Sequence, residues 1–363
     1  MKPRARDLGL PFPGTPGPAN ALTDVPGVMV GYETVTGNSA SGRQIRTGVT
    51  AVIPRSGETA PQPVWAGFHA LNGNGEMTGT HWIEDAGYFI GPLAITNTHS
   101  VGIVHHALVR HTIETYRDDW TEGHVWAMPV VAETYDGVLS DINGLHVTEQ
   151  HALAALANAK AGPIAEGNVG GGTGMICYDF KGGTGTASRV IEVGGRSHTV
   201  GALVQANHGR REWLTVLGVP VGRHLKDDII RETKEEGSII VLIGTDLPIL
   251  PHQLRRIAKR ASIGIGRGGT PGGNSSGDIF LAFSVANPMP LAEHAGPRLQ
   301  FEAINDDIFD PIYMAAIEAV EEAVINAMVA AEDTPTLKPP GKICRAIPHD
   351  GLVAVMKRYG RFG

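Results

Sequence analysis

The feature that most limits how this chain can fold is an abrupt change of character at Gly237. Residues 224–236 (HLKDDIIRETKEE) are rich in charge, whereas residues 238–244 (SIIVLIG) form the most apolar short run in the sequence. A charged run is usually exposed to solvent, while a short continuous apolar run is typical of a buried strand. The sequence therefore predicts a buried strand that begins at Ser238, directly after an exposed segment.

Other apolar or alternating runs predict more strands, and longer runs with helical spacing predict helices. Strands are expected at residues 28–35, 47–54, 64–71, 92–97, 125–131, 174–180, 186–193, 198–205, 213–219 and 278–284, and helices at 101–116, 148–160, 253–260 and 311–331. Strands dominate and helices occur in groups, without an internal repeat or a convincing linker. We therefore expect one α+β domain of packed layers over residues 1–363, rather than a βαβ series.

Charge and composition exclude several classes of protein. The net charge is −7 and no cluster of lysine and arginine stands out, so nucleic acid is not an expected partner. Two cysteines, Cys177 and Cys344, form no disulfide framework for a chain of this size, which fits a reducing compartment. No apolar run has the length of a signal-peptide core or a membrane span. We expect a soluble cytoplasmic protein that does not associate with membranes.

Two glycine-rich motifs have the wrong surroundings for the functions that such motifs usually serve. Residues 273–277 (GNSSG) match the G-x-S-x-G nucleophile elbow, but that motif needs a strand before the serine and a helix after it. Here a glycine-rich loop precedes the motif and an apolar strand follows. Residues 264–269 (GIGRGG) match G-x-G-x-x-G, but no helix or suitably spaced acidic residue follows, which favours a pocket-lining loop over a dinucleotide site.

The Gly237–Ser238 pair allows a different chemistry. If Ser238 became the first residue of a chain, its own α-amine, which titrates near pH 8, could take the proton of its hydroxyl. Glycine on the other side of the bond has no Cβ to hinder attack on its carbonyl. A glycine-serine pair entering a strand is also ordinary turn chemistry. From the residues alone both interpretations stay open.

Eight segments, taken together, resemble the L-aminopeptidase/D-Ala-esterase/amidase family, which also contains the β-peptidyl aminopeptidases. The resemblance extends from Pro3 to the C-terminal helix. The segments are 72–79 (NGNGEMTG), 133–137 (ETYDG), 141–144 (DING), 170–175 (GGGTGM), 181–186 (KGGTGT), 205–208 (QANH), 237–240 (GSII) and 276–278 (SGD).

This resemblance implies a four-layer αββα sandwich, similar to the N-terminal-nucleophile hydrolases but with different connectivity. It also implies self-cleavage between Gly237 and Ser238 into an alpha subunit, 1–237, and a beta subunit, 238–363. The processed protein would be a serine aminopeptidase that removes N-terminal residues from short peptides, amides or esters through an acyl-enzyme. The family further implies a homo-oligomer, a homotetramer, of processed alpha/beta pairs.

Catalytic roles follow from the same resemblance. Ser238 would be the nucleophile and, through its amine, part of the base. Ser276 would hydrogen-bond the nucleophile and Asp278 would orient this relay. The family often has a glutamate at the position of Asp278, so the reach of the shorter side chain is open.

Three more residues are assigned to the transition state and the substrate. Asn207 would donate its side-chain amide to the oxyanion, and Tyr135 resembles a second oxyanion or substrate-positioning residue. Glu133 would bind the free amine of the substrate. The structural alternatives are that Asn207 caps a turn and that Tyr135 is a core aromatic residue.

Two rival functions and several absences complete the expectations. An acyltransferase of the ornithine acetyltransferase type shares the fold and self-processing, but usually has a threonine nucleophile; a non-catalytic small-molecule-binding protein is the other rival. The 15 histidines include no H-E-x-x-H pattern, so we expect no metal, and no cofactor is implied. The sequence does not specify a preference among L-, D- and β-amino acid substrates.

Overall fold

A computed structural model of the chain describes residues 2–123, 126–230 and 237–362. Residues 231–236 of the charged segment and the beginning of the strand predicted at 125–131 lie outside these ranges. The strands are β1 (Met29–Asn38), β2 (Gln44–Ile53), β3 (Pro63–Ala70), β4 (Tyr88–Ile90), β5 (Leu93–Asn97), β6 (Val130–Thr134), β7 (Ile176–Cys177), β8 (Phe180–Lys181), β9 (Gly183–Val193), β10 (Arg196–Asn207), β11 (Ser238–Thr245), β12 (Gly277–Ser284), β13 (Thr334–Pro335) and β14 (Ile343–Cys344). The helices are α1 (Thr80–Ala86), α2 (Val101–Thr115), α3 (Arg117–Glu122), α4 (Glu149–Ala157), α5 (Pro251–Arg267), α6 (Asp310–Val329) and α7 (His349–Arg358).

The longer strands form two sheets. One sheet has the order β1-β2-β5-β6 and the other β4-β3-β12-β11-β10-β9. Within them β5–β6 and β11–β12 are parallel pairs, and the other neighbours are antiparallel. The two-residue strands form separate hairpins, β7–β8 and β13–β14. The predicted β11 therefore lies in the interior of the larger sheet, with β10 and β12 on its two sides.

The side chains of β11 alternate between two cores. Ile240 and Leu242 belong to the core between the sheets, together with Ile95 and Val130 of the smaller sheet. Ile239, Val241 and Ile243 belong to the core beneath α5 and α6. A strand that is covered on both faces needs apolar residues at every position, which explains why its sequence is a continuous apolar run.

Helices cover the outer face of each sheet. Helices α2 and α4 pack on the smaller sheet through Val104, Leu108 and Ala155, while α5 and α6 cover the larger one through residues such as Ile257 and Val320. The order of layers is therefore helix, sheet, sheet, helix, and the predicted four-layer αββα sandwich is confirmed. Gly67 of β3 allows α5 to pack closely on the larger sheet, because a Cβ at this position would lie 2.0 Å from the Arg255 backbone nitrogen of α5.

Several local predictions were wrong. The strand predicted at 174–180 is the hairpin β7–β8, because Tyr178 and Asp179 both have left-handed backbones, with φ of 51° and 57°. The strand predicted at 213–219 is a turn closed by a single bridge between Val216 and Val219. The strand predicted at 125–131 begins at Val130 within the described residues.

The glycine-rich segment predicted as a loop from residue 264 begins inside a helix. Helix α5 continues to Arg267, seven residues beyond its predicted end. A Cβ on Gly264 would lie 2.8 Å from Val320 Cβ of α6, so this glycine serves helix packing and not a phosphate-binding turn.

Among the described residues no helix is both long and apolar enough to cross a membrane.

Candidate active site

Three strands bring the predicted catalytic residues to one edge of the larger sheet. Ser238 is the first residue of β11 and stands opposite Asn207, the last residue of β10. On its other side Ser238 is in register with Gly277, the first residue of the parallel strand β12. Side chains paired across neighbouring strands have Cβ atoms about 4.5–5.5 Å apart, so this register places the Asn207 side chain beside the serine.

The Ser238 hydroxyl is held by backbone groups on both sides. Its Oγ donates a hydrogen bond to the carbonyl oxygen of Gly237 at 2.8 Å and accepts one from the Gly277 N–H at 3.1 Å. Ser238 is only 6% exposed. The hydroxyl is therefore fixed next to the carbonyl of the Gly237–Ser238 bond, which the family resemblance predicts to be cleaved.

Gly237 is packed too tightly for any side chain. A Cβ at this position would lie 2.1 Å from the carbonyl oxygen of Asn207 and 2.9 Å from the Cα of His208. Both contacts are with backbone, which cannot rotate away as a side chain can. The glycine thus lets the chain enter β11 in contact with the end of β10.

Ser276 and Asp278 form a buried pair. Ser276 Oγ donates to Asp278 Oδ1 at 2.6 Å, and both residues are fully buried. Burial raises the pKa of the Asp278 carboxyl, while hydrogen bonds from Ser276, Asn72 and the Ile239 backbone oppose that rise. Asp278 therefore reaches Ser276 despite its short side chain.

One expected contact differs. Ser276 was expected to hydrogen-bond the nucleophile, but in the described structure its hydroxyl is bonded to Asp278. The group that reaches Ser238 Oγ is the N–H of Gly277, the residue between Ser276 and Asp278. The parallel register explains this, because it aligns Ser238 with Gly277 and not with Ser276.

The Asn207 side chain is fixed at both ends. Its Oδ1 accepts from the Ile176 N–H at 2.8 Å, and its Nδ2 donates to the Tyr135 carbonyl at 3.0 Å. A carboxamide nitrogen carries two hydrogens, and this bond to Tyr135 uses one of them. The remaining hydrogen can be offered to an oxyanion without reorganisation of the side chain.

Tyr135 contacts the site through its backbone carbonyl. Its carbonyl is the partner of Asn207, and the residue as a whole is 38% exposed. Its side chain covers Gly137, where a Cβ would lie 2.2 Å from the phenol oxygen. Tyr135 is thus not a core aromatic residue. The expectation that its hydroxyl contacts the oxyanion stays a prediction.

Glu133 lies at the end of β6 in the smaller sheet, facing the same region. Its Oε1 accepts from the Glu76 N–H at 3.0 Å and its Oε2 from the Thr98 hydroxyl. Burial raises the pKa of Glu133, although these hydrogen bonds favour the ionised form. A Cβ on Gly75 would be 3.1 Å from Glu133 Oε1 and 3.4 Å from Gly277 Cα. Gly75 therefore lies between the Glu133 carboxylate and Gly277, the residue in register with Ser238.

Sequence reasoning missed two polar groups near the site. The Asn72 side chain accepts a hydrogen bond from the Asp278 N–H and donates one to the Asp278 carboxylate. Asp136, next to Tyr135, is fully buried beside Thr47 and Asn97, and burial raises its pKa to about 7. Both lie inside segments that carried the family resemblance, 72–79 and 133–137, and that was the signal available for them.

The G-x-S-x-G segment is not a nucleophile elbow. It precedes β12, and the Ser275 carbonyl accepts a hydrogen bond from the Asn74 side chain at 2.6 Å.

Within the described ranges, no group of three or more His, Cys, Asp and Glu residues has a geometry suited to a metal ion.

Comparison with known proteins gives consistent results. The profile of peptidase family S58 matches residues 20–339. The beta-peptidyl aminopeptidase BapA of Sphingosinicella microcystinivorans is 50% identical over 99% of this chain and 93% of that protein. The L-aminopeptidase D-Ala-esterase/amidase of Ochrobactrum anthropi, described as a prototype for the serine aminopeptidases and a new variant of the Ntn hydrolase fold, is 58% identical, with a TM-score of 0.96 over the whole of both chains. A beta-aminopeptidase of Burkholderia sp. is 48% identical, with a TM-score of 0.90 over 99% of each chain.

Proposed function

The chain belongs to peptidase family S58, and from this premise we propose that it is an aminopeptidase whose nucleophile, Ser238, is released when the chain cuts its own Gly237–Ser238 bond. One observation carries the proposal. The hydroxyl of Ser238 lies between the Gly237 carbonyl and the Gly277 N–H, at the point where the end of β10 presents Asn207. A turn serine with no chemical role needs none of these neighbours.

Self-cleavage would begin with attack of Ser238 Oγ on the carbonyl carbon of Gly237. The bond from that carbon to the Ser238 nitrogen breaks as the new ester bond forms, and the proton lost by the Ser238 hydroxyl is transferred to the nitrogen, which becomes a free amine. Water then hydrolyses the ester and leaves a carboxylate on Gly237. The hydrogen bond from Gly277 N–H supports this step, since it holds Oγ beside the carbonyl that it must attack.

The processed enzyme would use the new amine as its base. In its neutral form the α-amine of Ser238 takes the hydroxyl proton while Oγ attacks the carbonyl carbon of the substrate. Asn207, together with Tyr135, donates to the oxyanion of the tetrahedral intermediate. The proton then passes to the leaving amine or alcohol, an acyl-enzyme remains, and water releases the acid and restores the serine.

The Ser276–Asp278 pair and Glu133 would complete the site. The carboxylate of Asp278 fixes Ser276, and the N–H of Gly277, which lies between them, is presented to the nucleophile. Glu133 is an acidic residue in the same region, and its carboxylate form can bind the ammonium group of a substrate N-terminus. That contact would explain why such an enzyme requires a free amine.

The substrate class follows from the relatives only in outline. Their names mention L-residues, D-alanine esters and amides, and β-peptides, and all share a free amino terminus next to a cleavable acyl bond. We propose short peptides, amides and esters of this kind as substrates. Membership of the peptidase family does not favour an acyltransferase or a binding protein without catalysis.

The two fragments would stay together after cleavage. Strands β10 and β3 of the larger fragment pair with β11 and β12 of the smaller one inside one sheet. Arg6 and Arg189 of the larger fragment also bind the buried carboxylate of Glu322 in the smaller one, at 2.8 and 2.7 Å. We further propose a homotetramer of such pairs, testable by light scattering. We also propose a cytoplasmic location, with which a chain that has only two cysteines, both buried, agrees.

Release of the N-terminal residue from matched substrates tests the activity. Purified enzyme would be given L-alanine, D-alanine and β-homoalanine p-nitroanilides, each with a free and with an acetylated amine. We expect hydrolysis of at least one free-amine substrate, and loss of that hydrolysis on acetylation. Equal rates on acetylated and free substrates, or no hydrolysis of any of them, would contradict the proposal.

A further inference from the structure

A short loop from the larger fragment lies alongside the segment that carries the Ser276–Asp278 pair. The loop, residues 71–76, continues from β3, and its backbone donates from Leu71 N–H to the Asp278 carbonyl at 2.9 Å and from Asn74 N–H to the Ser276 carbonyl at 3.2 Å. Between these two bonds lies Asn72. The loop thus places a side-chain amide directly opposite a carboxylate of the proposed relay.

Asn72 uses its amide oxygen and both of its amide hydrogens at this point. Its Oδ1 accepts from the Asp278 N–H at 2.6 Å, and its Nδ2 donates to Asp278 Oδ2 at 3.1 Å and to the Gly273 carbonyl at 2.9 Å. The orientation of the amide is determined by chemistry, because a backbone N–H can only donate and must therefore face the oxygen. The NH₂ group is then the end that meets the carboxylate.

Each oxygen of the Asp278 carboxylate has its own donor. Oδ1 receives the Ser276 hydroxyl and Oδ2 receives the Asn72 amide. We propose that Asn72 is a positioning residue for the reaction, which keeps Asp278 ionised and turned toward Ser276. The inference rests on the proposed function, since it gives Asp278 a part in catalysis.

Because Asp278 is buried, the hydrogen bond from Asn72 matters for the charge of the Asp278 carboxyl. Burial raises the pKa of this carboxyl, and the groups that oppose the rise, including the Ile239 N–H of β11, are uncharged. The titratable side chains on the elements packed around β12 include His69 of β3, Glu76 of the loop, Glu133 of β6, and Arg255 and Lys259 of α5. The hydrogen bonds from Ser276, Asn72 and Ile239 favour the ionised form of Asp278 and so oppose the effect of burial on its pKa.

Three variants separate positioning from simple anchoring of the loop. Asn72→Ala removes every side-chain bond. Asn72→Asp keeps the shape and an acceptor for the Asp278 N–H, but it removes the donor and adds a negative charge beside Oδ2. Asn74→Ala is the matched control, because Asn74 anchors the same loop to the Ser275 carbonyl at 2.6 Å without touching a carboxylate.

The main measurement is kcat/KM against pH for the processed enzymes, from pH 5 to 9. For Asn72→Ala we expect a loss of about tenfold at pH 5 and a much smaller loss at pH 8, since one hydrogen bond to a charged group is lost. Asn72→Asp should lose more than Asn72→Ala at pH 5, because a like charge disfavours ionisation of Asp278. Asn74→Ala should keep the profile of the wild type.

Other outcomes overturn the inference. If Asn72 only anchors the loop, Asn72→Asp should be milder than Asn72→Ala at every pH, because it keeps the bond to the backbone. A loss that is the same from pH 5 to 9, or equal losses in Asn72→Ala and Asn74→Ala, would also refute it.

A second readout does not need activity. In the inactive Ser238→Ala background, the carboxyl ¹³C signal of Asp278, assigned by its loss in Asp278→Asn, reports the pKa of this group. We expect Asn72→Ala to move that titration to higher pH. An unchanged titration would refute the role of Asn72, whereas a wild type that is uncleaved or inactive would refute the proposed function, so the two failures can be told apart.

Discussion

Replacing Gly237 with alanine should stop or strongly slow self-cleavage. The added Cβ would lie 2.1 Å from the Asn207 carbonyl oxygen, whereas ordinary van der Waals contact begins at 3.4 Å. Because the opposing atoms are backbone, the chain at Gly237 and the end of β10 must separate by about 1 Å, the scale on which a misplaced reacting group loses about 10²-fold in rate. We therefore expect cleavage to be slower by about 10²-fold or more.

The assay is a time course of intact mass after pulsed cell-free synthesis of the precursor. Gly266→Ala serves as the matched control, because a Cβ at Gly266, in helix α5, would meet no atom within 4 Å. Overpacking at Gly237 is expected to cost about 1–3 kcal/mol of stability, so thermal unfolding shows whether the variant is folded. A folded Gly237→Ala variant that is cleaved as fast as the wild type would refute the argument that this packing positions the scissile bond.

Four further predictions concern the site and its surroundings. Asn207→Ala should lower kcat about 10²–10³-fold through the loss of one oxyanion donor, measured by steady-state hydrolysis; a loss below threefold would contradict that role. In the wild type kcat/KM should rise with pH as the α-amine of Ser238 loses its proton near pH 8, and a profile that is flat from pH 6 to 9 would exclude the amine as base. Glu133→Gln should raise KM for free-amine substrates roughly tenfold while changing kcat less, as expected for a substrate-binding contact, and an unchanged KM would contradict it. Because burial raises the pKa of Asp136 above its value in the unfolded chain, the stability it contributes is present in acid and is lost as pH rises toward 7; Asp136→Asn should therefore flatten the fall in unfolding free energy between pH 4 and 7, and identical curves would refute this.

The parts of the fold that sequence reasoning predicted are those where one physical requirement dominates. Strand β11 is covered on both faces, so its position could be predicted from the continuous apolar run that starts at Ser238. The layer order needed more than periodicity, and it came from the family resemblance. Local patterns failed where the backbone took an uncommon conformation, as at Tyr178 and Asp179, where apolar composition suggested a strand and left-handed residues make a hairpin.

The candidate site was predictable to the extent that its residues lie in recognisable segments. Ser238, Asn207 and Asp278 were expected, and the register of three neighbouring strands brings the regions that carry them together. The role of Asn72 was not predictable, because it depends on a contact between residues that are 206 positions apart. The same holds for the direction of the Ser276 hydroxyl, since only the parallel register reveals that Gly277 and not Ser276 faces the nucleophile.

Self-cleavage at Gly237–Ser238 is the central claim, and the masses of the purified wild type and of Ser238→Ala under denaturing conditions test it most directly. We expect two wild-type fragments, of 237 and 126 residues, the smaller beginning at Ser238, and a single chain of 363 residues in the variant. An uncut wild-type chain, or a Ser238→Ala variant cut at the same bond, would contradict it.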